Sequence, residues 1–303
     1  MTRIVYLSGE FVPEEDAKIS IFDSAVSLGD TVTDSVRTFG HRPFKLEEHV
    51  QRLYKSLKVA RIDPGCEPAE ILAITEQVLE KNLPLLAPHE DYWLVYNISR
   101  GRFVMGPDPT VQRGGATVMI FNQPLDLRGW ASYYEHGCHA VTAMSRAVPS
   151  QSLDARIKNR SRMAYTLAEM EVKLVDPDAQ GVLLDVDGNV AENKGGNIFV
   201  VADGIVKTPI CSNSLAGISR ETILELCQEQ DITCQETLLQ PYDLYTADEA
   251  FFASTSFCIL PMTRVDKREI GDGRPGPIAQ QLLAAWGEAV GLDIVDQATR
   301  FAN

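Results

Sequence analysis

Lys158 stands in the run Leu153-Asp154-Ala155-Arg156-Ile157-Lys158-Asn159-Arg160-Ser161-Arg162, with three arginines around it. Neighbouring positive charge favours the neutral amine, the form that attacks a carbonyl to make an imine. Downstream, Val190-Ala191-Glu192-Asn193-Lys194-Gly195-Gly196-Asn197 places a carboxylate after an apolar stretch and before a Gly-Gly turn. A carboxylate there can face a site and hold a ring nitrogen protonated, which turns the ring into an electron sink. Gly217-Ile218-Ser219 precedes a helical run, and glycine, hydroxyl and helix start together make an anion cradle. Ala253-Ser254-Thr255-Ser256-Phe257 is a hydroxyl-rich end to an apolar strand, suited to phosphate oxygens, and Arg52 brings the fork geometry phosphate prefers. Each feature alone has a plainer reading. Lys158 and Arg52 read as solvated cations, Glu192 as a turn residue, Ser219 as an ordinary N-cap, and Thr255 and Ser256 as a turn satisfying its own backbone.

The elements that must carry these residues follow from hydrophobic periodicity. Strands are expected over 3–7, 11–12, 17–22, 31–39, 92–99 and 116–121, and helices over 47–61 and 67–82, the first with Val50, Leu53 and Leu57 on one stripe. Asn122 to Arg128 is polar and contains Pro124, the best linker candidate. Beyond it, strands are expected at 137–144, 181–186, 197–201, 204–207, 233–238 and 249–254, with an Asp203-Gly204 hairpin turn. Helices are expected at 161–174, 219–230, 241–246 and 277–290. This order points to two α/β (α+β) domains with mixed or antiparallel sheets.

A chain of 303 residues with 45% hydrophobic and 23% charged residues builds a substantial core. Its net charge of −14 argues against nucleic-acid or anionic-membrane partners, which need a basic face. The six cysteines form no C-x-x-C pair and read as free thiols, and no metal site is expected. The start MTRIVYLSGEF has no charged region followed by a long apolar stretch, so a cytoplasmic protein without a signal peptide is expected.

The order Arg52, Lys158, Glu192, Gly217-Ile218-Ser219 and Thr255 resembles the class IV (fold type IV) pyridoxal 5′-phosphate-dependent aminotransferases. The family includes branched-chain aminotransferases, D-amino acid transaminases, (R)-selective amine transaminases and aminodeoxychorismate lyases. The likeness runs from about Gly9 to about Trp286. It is supported by Val12-Pro13, Asp16-Ala17-Lys18-Ile19, Phe44-Lys45-Leu46-Glu47-Glu48-His49, Asp243-Leu244-Tyr245, Ala247-Asp248-Glu249, Gly271-Asp272-Gly273 and Pro275-Gly276-Pro277.

The resemblance implies a two-domain fold: a smaller N-terminal α/β domain (1–121), a linker (122–128) and a larger C-terminal pseudo-barrel that binds pyridoxal phosphate (129–303). It implies that Lys158 is the Schiff-base lysine, that Glu192 partners the pyridine nitrogen, and that Arg52, Gly217, Ile218, Ser219, Thr255 and Ser256 serve the phosphate. A homodimer is implied as well, with a small amino donor and an α-keto acid as substrates. Leu28 and Thr33, where the family commonly has aromatics, join Arg37, Arg100, Arg102 and Phe257 as candidates for the substrate pocket. Branched-chain enzymes usually follow their lysine with a glycine-containing stretch and a tyrosine. Lys158-Asn159-Arg160-Ser161-Arg162 and Asn97-Ile98-Ser99-Arg100-Gly101 look closer to the D-amino acid and lyase pattern. The expected reaction is therefore transamination of D-amino acids or (R)-amines. A branched-chain L-amino acid enzyme is the alternative, followed by aminodeoxychorismate lyase and a catalytically dead binding protein.

Overall fold

The structure, a computed structural model, describes residues 2–104, 106 and 114–302. It divides into two compact units, Met1–Leu125 with Ile157–Ser161, and Asp126–Arg156 with Arg162–Asn303.

In the first unit, six strands among the described residues form one antiparallel sheet in the order β2-β1-β6-β5-β3-β4. The strands are β1 (Ile4–Leu7), β2 (Glu10–Pro13), β3 (Thr31–Phe39), β4 (Arg42–Pro43), β5 (Tyr92–Ser99) and β6 (Thr117–Pro124). Helices α1 (Ser24–Ser27), α2 (Leu46–Ala60) and α3 (Pro68–Asn82) complete the unit. Val50, Leu53 and Leu57 of α2 and Ile71 and Val78 of α3 share a core with Val32 and Val36 of β3 and Leu94, Tyr96 and Ile98 of β5. Side chains alternate across a strand, so Asp34, between Val32 and Val36, lies on that same helix-covered face.

Two expectations change here. Ala17 to Phe22 alternates like a strand but pairs with none; it is a loop in which Ile21 and Phe22 are exposed, closed by a turn from Asp23 N–H to the Ser20 carbonyl. Alternation describes a half-buried strand only where a neighbouring strand supplies the hydrogen bonds. The expected linker begins too early, because β6 continues through Pro124 and buries Asn122, whose Oδ1 accepts from Asn82 Nδ2 at 2.7 Å.

The second unit holds β7 (Cys138–Arg146), β8 (Gln180–Leu184), β9 (Val190–Glu192), β10 (Asn197–Ala202), β11 (Ile205–Pro209), β12 (Cys234–Thr237), β13 (Glu249–Ser254), β14 (Cys258–Val265) and β15 (Arg268–Glu269). They form a mixed sheet, β12-β11-β10-β13-β14-β7-β8-β9, with β15 on β14; the β11/β12, β14/β7 and β7/β8 pairs are parallel. Its helices are α4 (Ala131–His136), α5 (Met163–Val175), α6 (Ile218–Glu229), α7 (Pro241–Tyr245), α8 (Pro277–Val290) and α9 (Ile294–Ala302). The β10–β11 hairpin turns on Asp203 and Gly204, both at positive φ (53° and 73°), as a two-residue hairpin turn requires.

β14 escapes a sequence reading because Pro261 sits in its middle, and proline within a run argues against an interior strand. Its carbonyl side still pairs, Pro261 facing Phe251. No helix among the described residues is long and apolar enough to cross a membrane.

Candidate active site

In the first unit, Lys158 is pinned by backbone contacts on both sides. Its carbonyl accepts from Thr33 N–H (2.9 Å), its N–H donates to Ser56 Oγ (3.2 Å), and Arg160 N–H reaches the Thr31 carbonyl (3.0 Å). Ile157 packs into the core of this unit, and Ser161 Oγ donates to the Gly29 carbonyl at 2.9 Å. Ile157–Ser161 thus behaves as a short extra edge on β3, and so counts with the first unit although the linear division places it in 129–303.

On the neighbouring helix, His49, Arg52 and Ser56 share a face, being three and four residues apart. Asp34 lies beneath them, fully buried. Its Oδ1 accepts from His49 Nδ1 (2.8 Å) and Arg52 Nη2 (2.8 Å), and its Oδ2 from Arg52 Nε (2.9 Å). Burial alone would raise the Asp34 pKa, but the Arg52 and His49 charges and hydrogen bonds hold it well below the ordinary carboxylate range. Because Asp34 is ionised, His49 Nδ1 carries the proton it shares. Burial pushes His49 below its ordinary 6.5 against the pull of Asp34, with Arg52 and Lys158 adding to the fall. Asp34 and His49 were not singled out by sequence, where nothing local ties residue 34 to residue 52.

This pair sets a pH dependence. Both groups have folded pKa values below their unfolded ones, so the unfolded chain binds more protons as pH falls and the stability they contribute is lost toward acid. For His49 the loss begins below its ordinary 6.5 and is bounded by one proton, about 1.4 kcal/mol per pH unit. For Asp34 it follows below 3.8. Calorimetry from pH 7.5 to 5 should show a falling melting temperature, with a shallower fall for His49→Gln. Equal slopes would show that His49 takes up its proton alike in the folded and unfolded states.

In the second unit, Glu192 ends β9 with a buried side chain. Its Oε1 accepts from the Tyr165 hydroxyl (2.5 Å) and its Oε2 from Leu215 N–H (2.9 Å). Burial first, and then the charge of Glu192, push the Tyr165 phenol up, so Tyr165 is a donor at any working pH. The Arg162 guanidinium covers its ring at 3.7 Å. Leu215 opens the loop into α6, and Asn197 ties that loop to the sheet by donating Nδ2–H to the Leu215 carbonyl (2.8 Å). Asn197 itself pairs with Ala253, one residue before the hydroxyl-rich end of β13.

Gly217 caps α6 without a side-chain hydrogen bond, and a Cβ there would lie 2.1 Å from Asn197 Oδ1. The first intrahelical bond runs from Glu221 N–H to the Gly217 carbonyl (3.0 Å), so the N–H groups of Ile218 and Ser219 point out of the helix start. Ser219 is therefore not the N-cap; it lies inside the first turn. Thr255 and Ser256 form the turn between β13 and β14, and Ser254 Oγ donates to the Gly195 carbonyl at 2.7 Å.

The substrate candidates fare unevenly. All three guanidinium nitrogens of Arg100 are engaged, Nε with Asp30 Oδ2 (2.7 Å), Nη1 with the Arg61 carbonyl (2.6 Å) and Nη2 with the Ala60 carbonyl (2.8 Å). Arg37 is buried, its guanidinium 3.9 Å from the centre of the Phe39 ring and its Nε donating to the Thr38 carbonyl. Thr33 turns its hydroxyl to the Tyr96 carbonyl (2.7 Å). Leu28 and Arg102 are exposed, and Phe257 is buried edge-on to Trp130 at 5.7 Å. Tyr165 and Asn197 were missed by sequence; the one available signal was a tyrosine soon after the lysine.

The profile of the amino-transferase class IV family matches residues 31–265. The chain belongs to that family. Curated relatives of this class IV aminotransferase include a putative branched-chain-amino-acid aminotransferase of Methanocaldococcus jannaschii, 33% identical over 92% of this chain and 93% of that protein. Another is the branched-chain-amino-acid aminotransferase of Escherichia coli K12, 30% identical over 93% and 91%. Among solved structures, the T.th. branched-chain amino acid aminotransferase with pyridoxamine 5′-phosphate superimposes with a TM-score of 0.88 at 27% identity, covering 96% of this chain and 94% of that one. The Escherichia coli enzyme superimposes with a TM-score of 0.86 at 28% identity over 95% and 94%. The enzyme therefore has the two-domain fold type IV architecture.

Proposed function

We propose that this pyridoxal 5′-phosphate-dependent enzyme is a branched-chain L-amino acid aminotransferase, passing the amino group to an α-keto acid. The observation that carries the reading is the end-to-end similarity to relatives bearing that name, more than nine-tenths of both chains in each case. It replaces the D-amino acid or (R)-amine expectation, and one local feature favours the change. Arg100, the arginine of the loop that suggested the D-amino acid pattern, is spent on Asp30 and two carbonyls.

The residues present fit the cofactor: a buried carboxylate held by the Tyr165 hydroxyl and Leu215 N–H, and a twelve-residue helix start with no side-chain cap, behind a glycine where a Cβ would crowd Asn197 Oδ1. Bound, the cofactor supplies an aldehyde for the amino group and a ring that takes up electrons from the Cα–H bond. Lys158 would hold it through Nζ, and the same Nζ, when released, would take the Cα proton and return it. Glu192 would keep a proton on the ring nitrogen, its plane set by the Tyr165 hydroxyl and Leu215 N–H. Arg52, the N–H groups of Ile218 and Ser219 behind Gly217, and the hydroxyls of Thr255 and Ser256 would bind the phosphate. The panel that tests the reading is L-leucine, L-valine, D-alanine and (R)-1-phenylethylamine with two α-keto acids. L-leucine should exceed D-alanine in kcat/KM by at least about 10-fold, the scale an apolar pocket discriminates; a faster reaction with D-alanine or the amine would overturn it.

The working unit we propose is a homodimer. Met163, Leu167, Met170 and Leu174 recur at spacings of four, three and four on α5, and all are more than half exposed, while Ala168 and Val172 on the other face are buried. A stripe of that period and exposure fits helix pairing with a second copy. Leu167→Glu with Leu174→Glu should give monomers by sedimentation where the parent chain is dimeric; an unchanged dimer would place the interface elsewhere.

A further inference from the structure

We propose that Asp34 is a positioning residue for phosphate recognition: its carboxylate fixes the Arg52 guanidinium in one orientation before any ligand arrives. The proposal rests on the reading that Arg52 serves the phosphate.

The Asp34 side chain is fully buried on the helix-covered face of β3, and both of its oxygens accept hydrogen bonds. Oδ1 accepts from Ser35 N–H (2.7 Å), His49 Nδ1 (2.8 Å) and Arg52 Nη2 (2.8 Å), and Oδ2 accepts from Arg52 Nε (2.9 Å). The two bonds from Arg52 come from the Nε–Nη2 edge of the planar fork. That side-on pairing fixes the plane of the guanidinium and turns its Nη1 side away from Asp34. Arginine is a rotamer-rich side chain, and ordering it only when an anion binds costs affinity. Here the ordering is done in the fold. His49 and Ser56, one turn to either side of Arg52, are nearly inaccessible, so the carboxylate and the helix leave the arginine little room to swing.

Two effects of Asp34 oppose each other, which makes the proposal decidable by sign. Its negative charge lowers the potential at Arg52 and should by itself weaken phosphate binding. Its positioning should strengthen it. If positioning dominates, removing the charge weakens binding; if the field dominates, removing it tightens binding.

The test uses the full-length chain freed of cofactor, titrated by absorbance with pyridoxal 5′-phosphate and, separately, with pyridoxal, which lacks the phosphate. Asp34→Asn should lower affinity for the phosphate ester about 10- to 100-fold, the scale of a charge-assisted pair, and leave pyridoxal within about twofold. Arg52→Gln should lower the same ratio, and the double variant should be no worse than Arg52→Gln alone, because the two residues act as one unit. Should Asp34→Asn not accumulate, Asp34→Glu keeps the charge but displaces the fork by a methylene, and should lower the ratio in the same sense. Tighter or unchanged phosphate-ester binding in Asp34→Asn, equal losses for both ligands, or additive losses in the double variant would overturn the proposal. An unchanged ratio in Arg52→Gln would instead remove the phosphate role of Arg52, a failure of the underlying reading that is visible separately.

Discussion

Lys158→Ala should lower transamination by at least about 10⁴-fold, since it removes both the covalent anchor and the proton carrier at once. The fold should survive. The contacts that hold the segment are the Lys158 carbonyl to Thr33, the Lys158 N–H to Ser56 Oγ, and the Ile157 side chain in the core, and alanine keeps all three. Circular dichroism and thermal melting should therefore match the parent chain. Borohydride treatment of the cofactor-loaded parent should leave a stable mass addition on the peptide carrying Lys158, and none on the variant. A variant retaining more than a few per cent of activity would rule out Lys158 as the anchor.

Glu192→Ala should reduce kcat by about 10²- to 10³-fold, the scale of losing one preorganised electrostatic partner. The structural cost is separable from the catalytic one. Removing the carboxylate leaves the Tyr165 hydroxyl and Leu215 N–H without their acceptor, at about 1–3 kcal/mol for each group that water does not reach. Glu192→Gln can still accept one of those bonds, so it should melt closer to the parent while remaining slow. Parent-like kcat in both variants would show that the carboxylate has no electronic role and serves only to join β9 to the loop before α6.

The two experiments probe different units of the fold, and the sequence located each residue with different success. Long periodic segments were legible. The helix over Leu46–Ala60, the strand over Tyr92–Ser99 and the helix over Pro277–Val290 fall within a residue or two of where their apolar spacing puts them. Segments whose state depends on a distant neighbour were not. Ala17 to Phe22 has a strand pattern and no strand beside it, and Cys258–Val265 has a proline and three strands that pair with it regardless.

Residue types along the chain determined the kinds of chemistry available: an amine among arginines, a carboxylate before a Gly-Gly turn, a glycine and a hydroxyl at a helix start. Those are local properties, fixed by covalent order, and together they pointed to the family. Only the tertiary structure decided which groups answer to which. It gave Asp34 to Arg52 and His49, Tyr165 to Glu192, and Arg100 to Asp30, partners 18, 15, 27 and 70 residues apart. Hydrogen bonds and ion pairs act over about 3 Å in space whatever the separation along the chain, so such pairings exist only after strands and helices have packed.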